Sequence, residues 1–159
     1  MAILTASDKG YAGQREDISG KVIKQIVESN GYEVVSYKIL PDEQAIIAEY
    51  MRDICDNNDA DLILTTGGTG FAKRDCTPEA TLSIAQKHVP GIAEAIRAFS
   101  MQITKRAMLS RATSVIRGST LIINLPGSPK AVKETLEYII QELEHGILIM
   151  TGKDGECAR

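Results

Sequence analysis

The chain is predicted to form a three-layer α/β/α, Rossmann-like fold, with a mainly parallel mixed sheet that includes one antiparallel hairpin. Three observations predict it. Short apolar runs alternate with segments of helical periodicity, no linker or repeat interrupts them, and 159 residues suit a single domain, 1–159. A chain of that length buries roughly 70% of the surface its unfolded form exposes.

The elements follow in order. Ala2 to Thr5 is a short apolar strand, and Ile18, Val22, Ile26 and Val27 recur at helical spacing up to the stop signal Asn30-Gly31. Tyr32 to Leu40 is predicted as the second strand. After Pro41-Asp42-Glu43, a helix carries Ala45, Ile46, Ala48, Tyr50, Met51 and Ile54, and Asp61 to Thr66 forms the central strand. Thr77-Pro78 suits the N-cap and first position of a helix, and Pro90-Gly91 breaks that helix and begins another through about Ile103. Thr113 to Ile116 and Thr120 to Leu125 flank an Arg117-Gly118 turn and are expected to pair as the hairpin. A last helix starts near Ser128-Pro129, with Val132, Leu136, Ile139, Ile140 and Leu143 as its buried stripe.

The run from Thr65 to Glu79 carries the most chemical information. An apolar strand passes into Thr66-Gly67-Gly68-Thr69-Gly70 and then into a helix. Glycines let the backbone approach a ligand, and N–H groups beside a helix N-terminus favour phosphate. Asp75, at the far end, supplies a carboxylate that could hold a metal ion. The plain alternative is a tight strand-to-helix connection. Two common phosphate motifs are excluded, because Lys73 is followed by Arg74 rather than a hydroxyl residue and also stands where a dinucleotide fingerprint needs its third glycine.

Composition narrows the partners. With 18 basic and 21 acidic residues the formal charge is −3, and no basic block or aromatic-interleaved patch appears, which argues against nucleic acid. No apolar stretch nears the roughly 20 residues that span a bilayer, and Met1-Ala2-Ile3 enters a strand without a signal-like leader, so a cytoplasmic protein with small-molecule partners is expected. Cys55, Cys76 and Cys157 form no C-x-x-C pair, which supports neither a disulfide framework nor a zinc site. Cys76 is a small filler or a thiol near the pocket. His88 and His145 lie far apart in sequence and suggest no metal centre. Lys21, Lys24 and Glu28 suit a solvated helix face, Met101 and Met108 suit core or subunit contact, and Lys73 extends toward either a polyphosphate or water.

Ligands of open α/β sheets bind beyond the carboxyl ends of the strands. Ser7 and Asp8 follow the first predicted strand, Asp42 the second and Thr66 to Asp75 the third, while Asn124-Leu125-Pro126-Gly127-Ser128-Pro129 ends the last. Four segments therefore converge on one edge. Each has a structural alternative, since Pro-Asp before a helix is also ordinary capping chemistry and Pro126-Gly127 also ends a strand.

Over Ile3 to about Gly146 the chain resembles the molybdopterin adenylyltransferases, including MogA-type enzymes and gephyrin-type G domains. The resemblance rests on Leu4-Thr5-Ala6-Ser7-Asp8, Pro41-Asp42-Glu43-Gln44, Thr66-Gly67-Gly68-Thr69-Gly70, Arg74-Asp75-Cys76-Thr77-Pro78-Glu79-Ala80-Thr81, Met108-Leu109-Ser110-Arg111, and Ile116-Arg117-Gly118-Ser119-Thr120 through Leu125-Pro126-Gly127-Ser128-Pro129. It implies a mixed sheet between helices, a homotrimer, and transfer of AMP from ATP to the terminal phosphate of molybdopterin with release of pyrophosphate. A molybdenum-insertion enzyme would be the downstream partner.

By the same resemblance Asp42 and Asp75 are the catalytic carboxylates and Mg²⁺ ligands, and Thr66, Gly67, Gly68, Thr69 and Gly70 bind the nucleotide, with adenine on a neighbouring apolar wall. Ser110 lies on the molybdopterin side, Arg111 and Arg74 help bind substrate, and Ser7, Asp8, Pro126 and Gly127 form the floor. The chain departs from the family pattern in beginning almost at the first strand, in carrying Lys105-Arg106 where relatives often have proline before Ala107, and in its short polar tail, Lys153 to Arg159. The alternative is a non-catalytic molybdopterin-binding paralogue or scaffold; Arg74 argues against it, because such relatives commonly replace that arginine. An insertion enzyme is disfavoured by length, and an unrelated phosphate-binding regulator would ignore molybdopterin.

Overall fold

A computed structural model describes residues 1–152; Cys157 and the tail noted above lie outside the described residues. Six strands form one sheet in the order β2-β1-β3-β6-β5-β4. β1 (Ala2–Ala6), β2 (Ser36–Leu40), β3 (Leu62–Thr66) and β6 (Thr120–Leu125) are mutually parallel, whereas β5 (Ser114–Arg117) runs antiparallel to both β6 and β4 (Lys87–His88). The helices are α1 (Asp8–Tyr11), α2 (Ile18–Ser29), α3 (Gln44–Asp56), α4 (Thr77–Ser83), α5 (Pro90–Ile103) and α6 (Pro129–Met150), with a 3₁₀ turn at Lys105–Leu109.

Alternation along the strands builds the two cores. Ile3, Leu62, Leu64, Leu121, Ile123 and Leu125 face α2, α5 and α6, while Leu4, Ile63, Val115 and Ile122 face α3 and α4. A strand buried on both faces carries an unbroken apolar run, as Leu62-Ile63-Leu64 does. The predicted three-layer fold with its antiparallel pair is therefore present.

Several local expectations need correction. Strand pairing begins only at Ser36; Val35 N–H instead bonds the Met1 carbonyl (2.9 Å) and the Met1 amino group bonds the Glu33 carbonyl (2.7 Å), which ties 32–35 down outside the ladder. β4, a third antiparallel member, was not expected, since two residues carry no readable period. It places the exposed His88 on an edge strand, directly before Val89, the N-cap of α5. In α3 the buried stripe is Ile47, Ala48, Met51, Ile54 and Cys55, and Ile46 faces solvent. Cys76, not Thr77, caps α4, without a side-chain bond. Met101 and Met108 are exposed and do not belong to the core.

Candidate active site

At β1 the chain order reverses: β2 lies on one side and β3 on the other, with connecting segments leading away in opposite directions. That divergence opens a crevice at the carboxyl ends of the strands. A cleft of about 440 Å³ lies there, lined by Ser7, Asp42, Thr66, Gly67, Gly68, Asp75 and Gly127. The four predicted segments do meet. Thr5, Arg15, Glu16, Asp17 and Ser19 also line it.

The glycine loop leaves β3 through two left-handed residues, Gly67 (φ 87°) and Gly68 (φ 63°). A Cβ on the first would collide with the Ala6 carbonyl oxygen, and one on the second with the Thr77 hydroxyl. The carbonyls of the loop are drawn back into the protein. Gly67 O accepts from Thr77 Oγ1 (2.9 Å), Gly68 O from Thr77 N–H (3.1 Å), Thr69 O from Arg111 N–H (3.0 Å) and Gly70 O from Arg111 Nε (2.6 Å). In a trans peptide the N–H points opposite to the preceding carbonyl, so the N–H groups of Gly68, Thr69, Gly70 and Phe71 turn the other way. This is the donor arrangement that an anion nest requires.

The fixed side of the loop continues into the core. Fully buried Asn124 donates to Thr65 Oγ1 (3.0 Å) and Thr81 Oγ1 (2.9 Å) and accepts from Thr113 N–H (3.2 Å). Thr66 Oγ1 donates to Pro126 O (2.6 Å), and Ser19 Oγ to Gly127 O (2.9 Å), which locks the β6 exit against β3 and α2.

Two carboxylates enter the cleft. Asp42 does not cap α3, whose N-cap is Glu43; its Oδ2 accepts from Asp8 N–H (2.9 Å), and its own N–H donates to Asp8 Oδ1 (3.0 Å). Asp75 Oδ2 accepts from Ala72 N–H (3.0 Å). Each carboxylate thus has one oxygen fixed by a backbone donor, and among the described residues no donor meets Oδ1 of either. Burial pushes the Asp42 carboxyl up from the ordinary aspartate value, and the charges of Asp8 and Asp75 add to this against the Asp8 N–H and Arg74. Such a site favours a cation or a proton.

Arg74 and Asp8 are committed to each other. Arg74 Nε and Nη2 donate to the two Asp8 oxygens, each at 3.0 Å, and Nη1 pairs with Glu43 at 2.8 Å. The Arg74 guanidinium is the main cause holding the Asp8 carboxyl below the ordinary range. Neither side chain lines the cleft, so both shape it from behind Asp42. Ser7 likewise caps α1, with its Oγ accepting from Gly10 N–H (3.0 Å).

A second cleft, about 340 Å³, shares Gly127 with the first. Thr69, Gly70, Ser110, Pro126, Arg97 and Arg106 line it together with the apolar Ile96, Ala107, Leu109 and Ala131. Ser110 is therefore separated from Asp42 and Asp75 by the glycine loop and Gly127. Arg111 lines neither cleft; beyond the loop carbonyls, Nη2 donates to Asp75 O (2.8 Å) and Nη1 pairs with Glu79. Burial raises the Cys76 thiol, which opposes a reactive thiolate there. Among the described residues no group of three or more His, Cys, Asp or Glu could hold a metal ion.

The sequence reasoning missed the Asp17 wall. Asp17 Oδ2 accepts from Thr5 Oγ1 and Tyr37 O–H, each at 2.6 Å, and Oδ1 from Gly20 N–H (2.8 Å). A Cβ on Gly20 would strike Asp17 and the Tyr37 hydroxyl. The helix-start signal at Asp17 was readable, but not its place beside the cleft.

Comparison with known proteins agrees with this geometry. Residues 2–145 match the family described as "probable molybdopterin binding domain". The molybdopterin adenylyltransferase of Helicobacter pylori (strain J99) is 40% identical over 155 residues, covering 96% of this chain and 88% of that one. The enzyme of the same name from Escherichia coli K12 is 40% identical over 142 residues, covering 87% and 72%. The crystal structure of the molybdopterin biosynthesis enzyme MoaB from Thermus thermophilus superposes with a TM-score of 0.90 at 44% identity, covering 98% of both chains. The chain thus belongs to the molybdopterin-binding domain family, among relatives of molybdenum cofactor biosynthesis that are named molybdopterin adenylyltransferases.

Proposed function

We propose that the protein catalyses Mg²⁺-dependent transfer of AMP from ATP to the terminal phosphate of molybdopterin, releasing pyrophosphate. One observation carries the reading: Asp42 and Asp75 each present an unpaired carboxylate oxygen to a cleft walled by a glycine loop whose carbonyls are turned away. ATP occupies this cleft. Molybdopterin occupies the second, where Ser110 supplies a hydroxyl, Arg106 a cation, and Ile96, Leu109 and Ala131 an apolar wall for a flat ring.

Hard carboxylate oxygens and a local excess of negative charge fit Mg²⁺, which is commonly held by one or two carboxylates together with substrate phosphates. Asp42 and Asp75 would hold the ion. When bound, it offsets the charge that gathers as one phosphate approaches another. The protein's own part is positioning. Gly68 offers its N–H to the nucleotide phosphates. Thr69 and Gly70, expected on the nucleotide side, instead border the second cleft, and Gly127, on the rim of both, leaves the attacking phosphate a path to the α-phosphate. The terminal phosphate oxygen bonds to the α-phosphorus as its bond to the bridging oxygen of pyrophosphate breaks. No covalent enzyme intermediate is needed.

We assign the whole chain to one such domain, acting in the cytoplasm, that passes its product to a molybdenum-insertion enzyme. Among the described residues no helix is long and apolar enough to cross a membrane. A homotrimer fits the exposed apolar side chains on α5 and α6, among them Met101, Ile103 and Tyr138, the last stacked on Phe99 at 4.3 Å. Light scattering of the purified protein tests that assembly, and a monomer would remove it.

The deciding experiment incubates the protein with molybdopterin, ATP and Mg²⁺ and follows adenylyl-molybdopterin and pyrophosphate by mass spectrometry. Both products in equal amounts support the proposal. Tight molybdopterin binding without them would favour a non-catalytic paralogue.

A further inference from the structure

We infer that Arg111 is a positioning residue for the Asp75 carboxylate and not a ligand of substrate phosphate, and that Glu79 holds it in that role. As a role in catalysis, the inference rests on the adenylyl-transfer reading above. The residue type alone favours a phosphate contact, because a guanidinium suits phosphate oxygens. The geometry points elsewhere. Nε donates to Gly70 O (2.6 Å), Nη2 to Asp75 O (2.8 Å) and Nη1 to Glu79, while the backbone N–H of Arg111 takes Thr69 O (3.0 Å). All three nitrogens of the guanidinium are engaged by the protein, and the side chain lines neither cleft.

What these bonds fix matters for Asp75. The stretch from Gly67 to Cys76 has no regular secondary structure, and ordering such backbone costs about 1–2 kcal/mol per residue, more at glycine. Arg111 fastens it at Gly70 and again at Asp75. Between those points the Asp75 carboxylate closes on Ala72 N–H, and Asp75 N–H donates to Ala72 O, both at 3.0 Å. The direction of the free Asp75 oxygen therefore follows the backbone that Arg111 holds. Glu79 lies in the first turn of α4; its Oε1 pairs with Arg111, while its Oε2 is buried without a hydrogen bond among the described residues, so this carboxylate depends on Arg111 and in turn anchors it. A lysine could satisfy Glu79 or one carbonyl; only the rigid fork reaches two carbonyls and a carboxylate together.

Arg111→Lys is the informative variant, since it keeps a cation beside Glu79 and so spares the fold. Glu79→Gln, which retains an acceptor for Nη1, should act in the same direction but more weakly. For Arg111→Lys we expect kcat to fall at least tenfold while KM for ATP and for molybdopterin each stay within about twofold, and the Mg²⁺ concentration for half-maximal rate to rise. In the unliganded protein, amide hydrogen exchange at Ala72 and Asp75 should accelerate at least tenfold, with β3 and β6 unchanged. A raised KM for either substrate with unchanged kcat would make Arg111 a phosphate ligand and overturn the inference; unchanged exchange at Ala72 and Asp75 would overturn it whatever the kinetics. If the unaltered protein makes no adenylyl-molybdopterin, the function proposal fails by itself, and the exchange measurement still decides whether Arg111 holds Asp75.

Discussion

The two clefts that meet at Gly127 differ more in charge than in size. Glu16, Asp17, Asp42 and Asp75 outnumber Arg15 around the first, whereas Arg97 and Arg106 are the ionisable side chains around the second, which has no carboxylate. A bare polyanion is repelled by the first and drawn to the second. A nucleotide whose charge is offset by Mg²⁺ can enter the first. Two anionic substrates would thus be sorted by whether they arrive with a metal ion, a form of specificity that works by repulsion as well as attraction.

The strongest way to break this comparison is to remove carboxylates from the first cleft. Asp42→Asn and Asp75→Asn should each lower kcat on the order of 100-fold or more, with KM for molybdopterin little changed, because only the acidic side loses a function. Steady-state kinetics with each substrate varied would show it. Equal loss of molybdopterin affinity would mean that the clefts do not divide the substrates.

The rim between the clefts offers the next contrast. Gly67 is left-handed and meets the Ala6 carbonyl, but a Cβ on Gly127 would come no nearer than 3.6 Å to any of its neighbours, an ordinary contact. Gly67→Ala should therefore cost roughly 2–4 kcal/mol of stability, and Gly127→Ala less than about 1 kcal/mol. Denaturant unfolding of the two variants would separate them. A similar cost for both would remove the strain argument at Gly67.

A smaller effect concerns pH. The folded-state pKa of Asp42 lies above the ordinary value of 3.8, so the folded protein holds its proton more tightly and loses stability as pH rises through that interval. Asp8 behaves oppositely: its depressed pKa contributes stability above 3.8 that is lost as pH falls through the folded value. Asp42→Asn still accepts the Asp8 N–H but carries no charge, so its thermal midpoint should rise above that of the unaltered protein near neutral pH and converge with it below about pH 3. A midpoint difference independent of pH would sink the electrostatic account.

These contrasts also show what the sequence could reveal. Helical and strand periods located the longer elements, because α2, α3 and α6 bury one stripe and β3 and β6 are buried throughout around the apolar runs Leu62-Ile63-Leu64 and Leu121-Ile122-Ile123. The convergence of Ser7, Asp42, the glycine loop and Gly127 was legible too, since chain order and the strand-end rule suffice for it. Short or irregular pieces escaped: β4 has too few residues to show a period, and 32–35 is extended and tied down without joining the ladder. Side-chain commitment escaped as well. Arg74 and Arg111 have the right chemistry for phosphate, but their guanidinium groups are engaged by Asp8 and Glu43 in one case and by loop carbonyls and Glu79 in the other. Sequence reports which donors exist; only the fold reports which acceptors reach them first.

That distinction sharpens the last comparison, between Arg106 and the other arginines near the site. Arg97 Nη1 donates to Ala112 O (2.7 Å), and Arg74 and Arg111 are likewise engaged, whereas the Arg106 side chain lines the second cleft without a hydrogen bond or ion pair among the described residues. It is the cation free to meet an anion there. Because it is exposed, its attraction is screened and worth little more than about 1 kcal/mol, which sets a ceiling of roughly fivefold on affinity. Arg106→Ala should thus raise KM for molybdopterin by up to about fivefold at low ionic strength, leave kcat and KM for ATP unchanged, and lose its effect as salt increases. Measuring both KM values across a salt series checks this. A shift in KM for ATP instead would move the nucleotide to the arginine-lined cleft and reverse the division of the two sites.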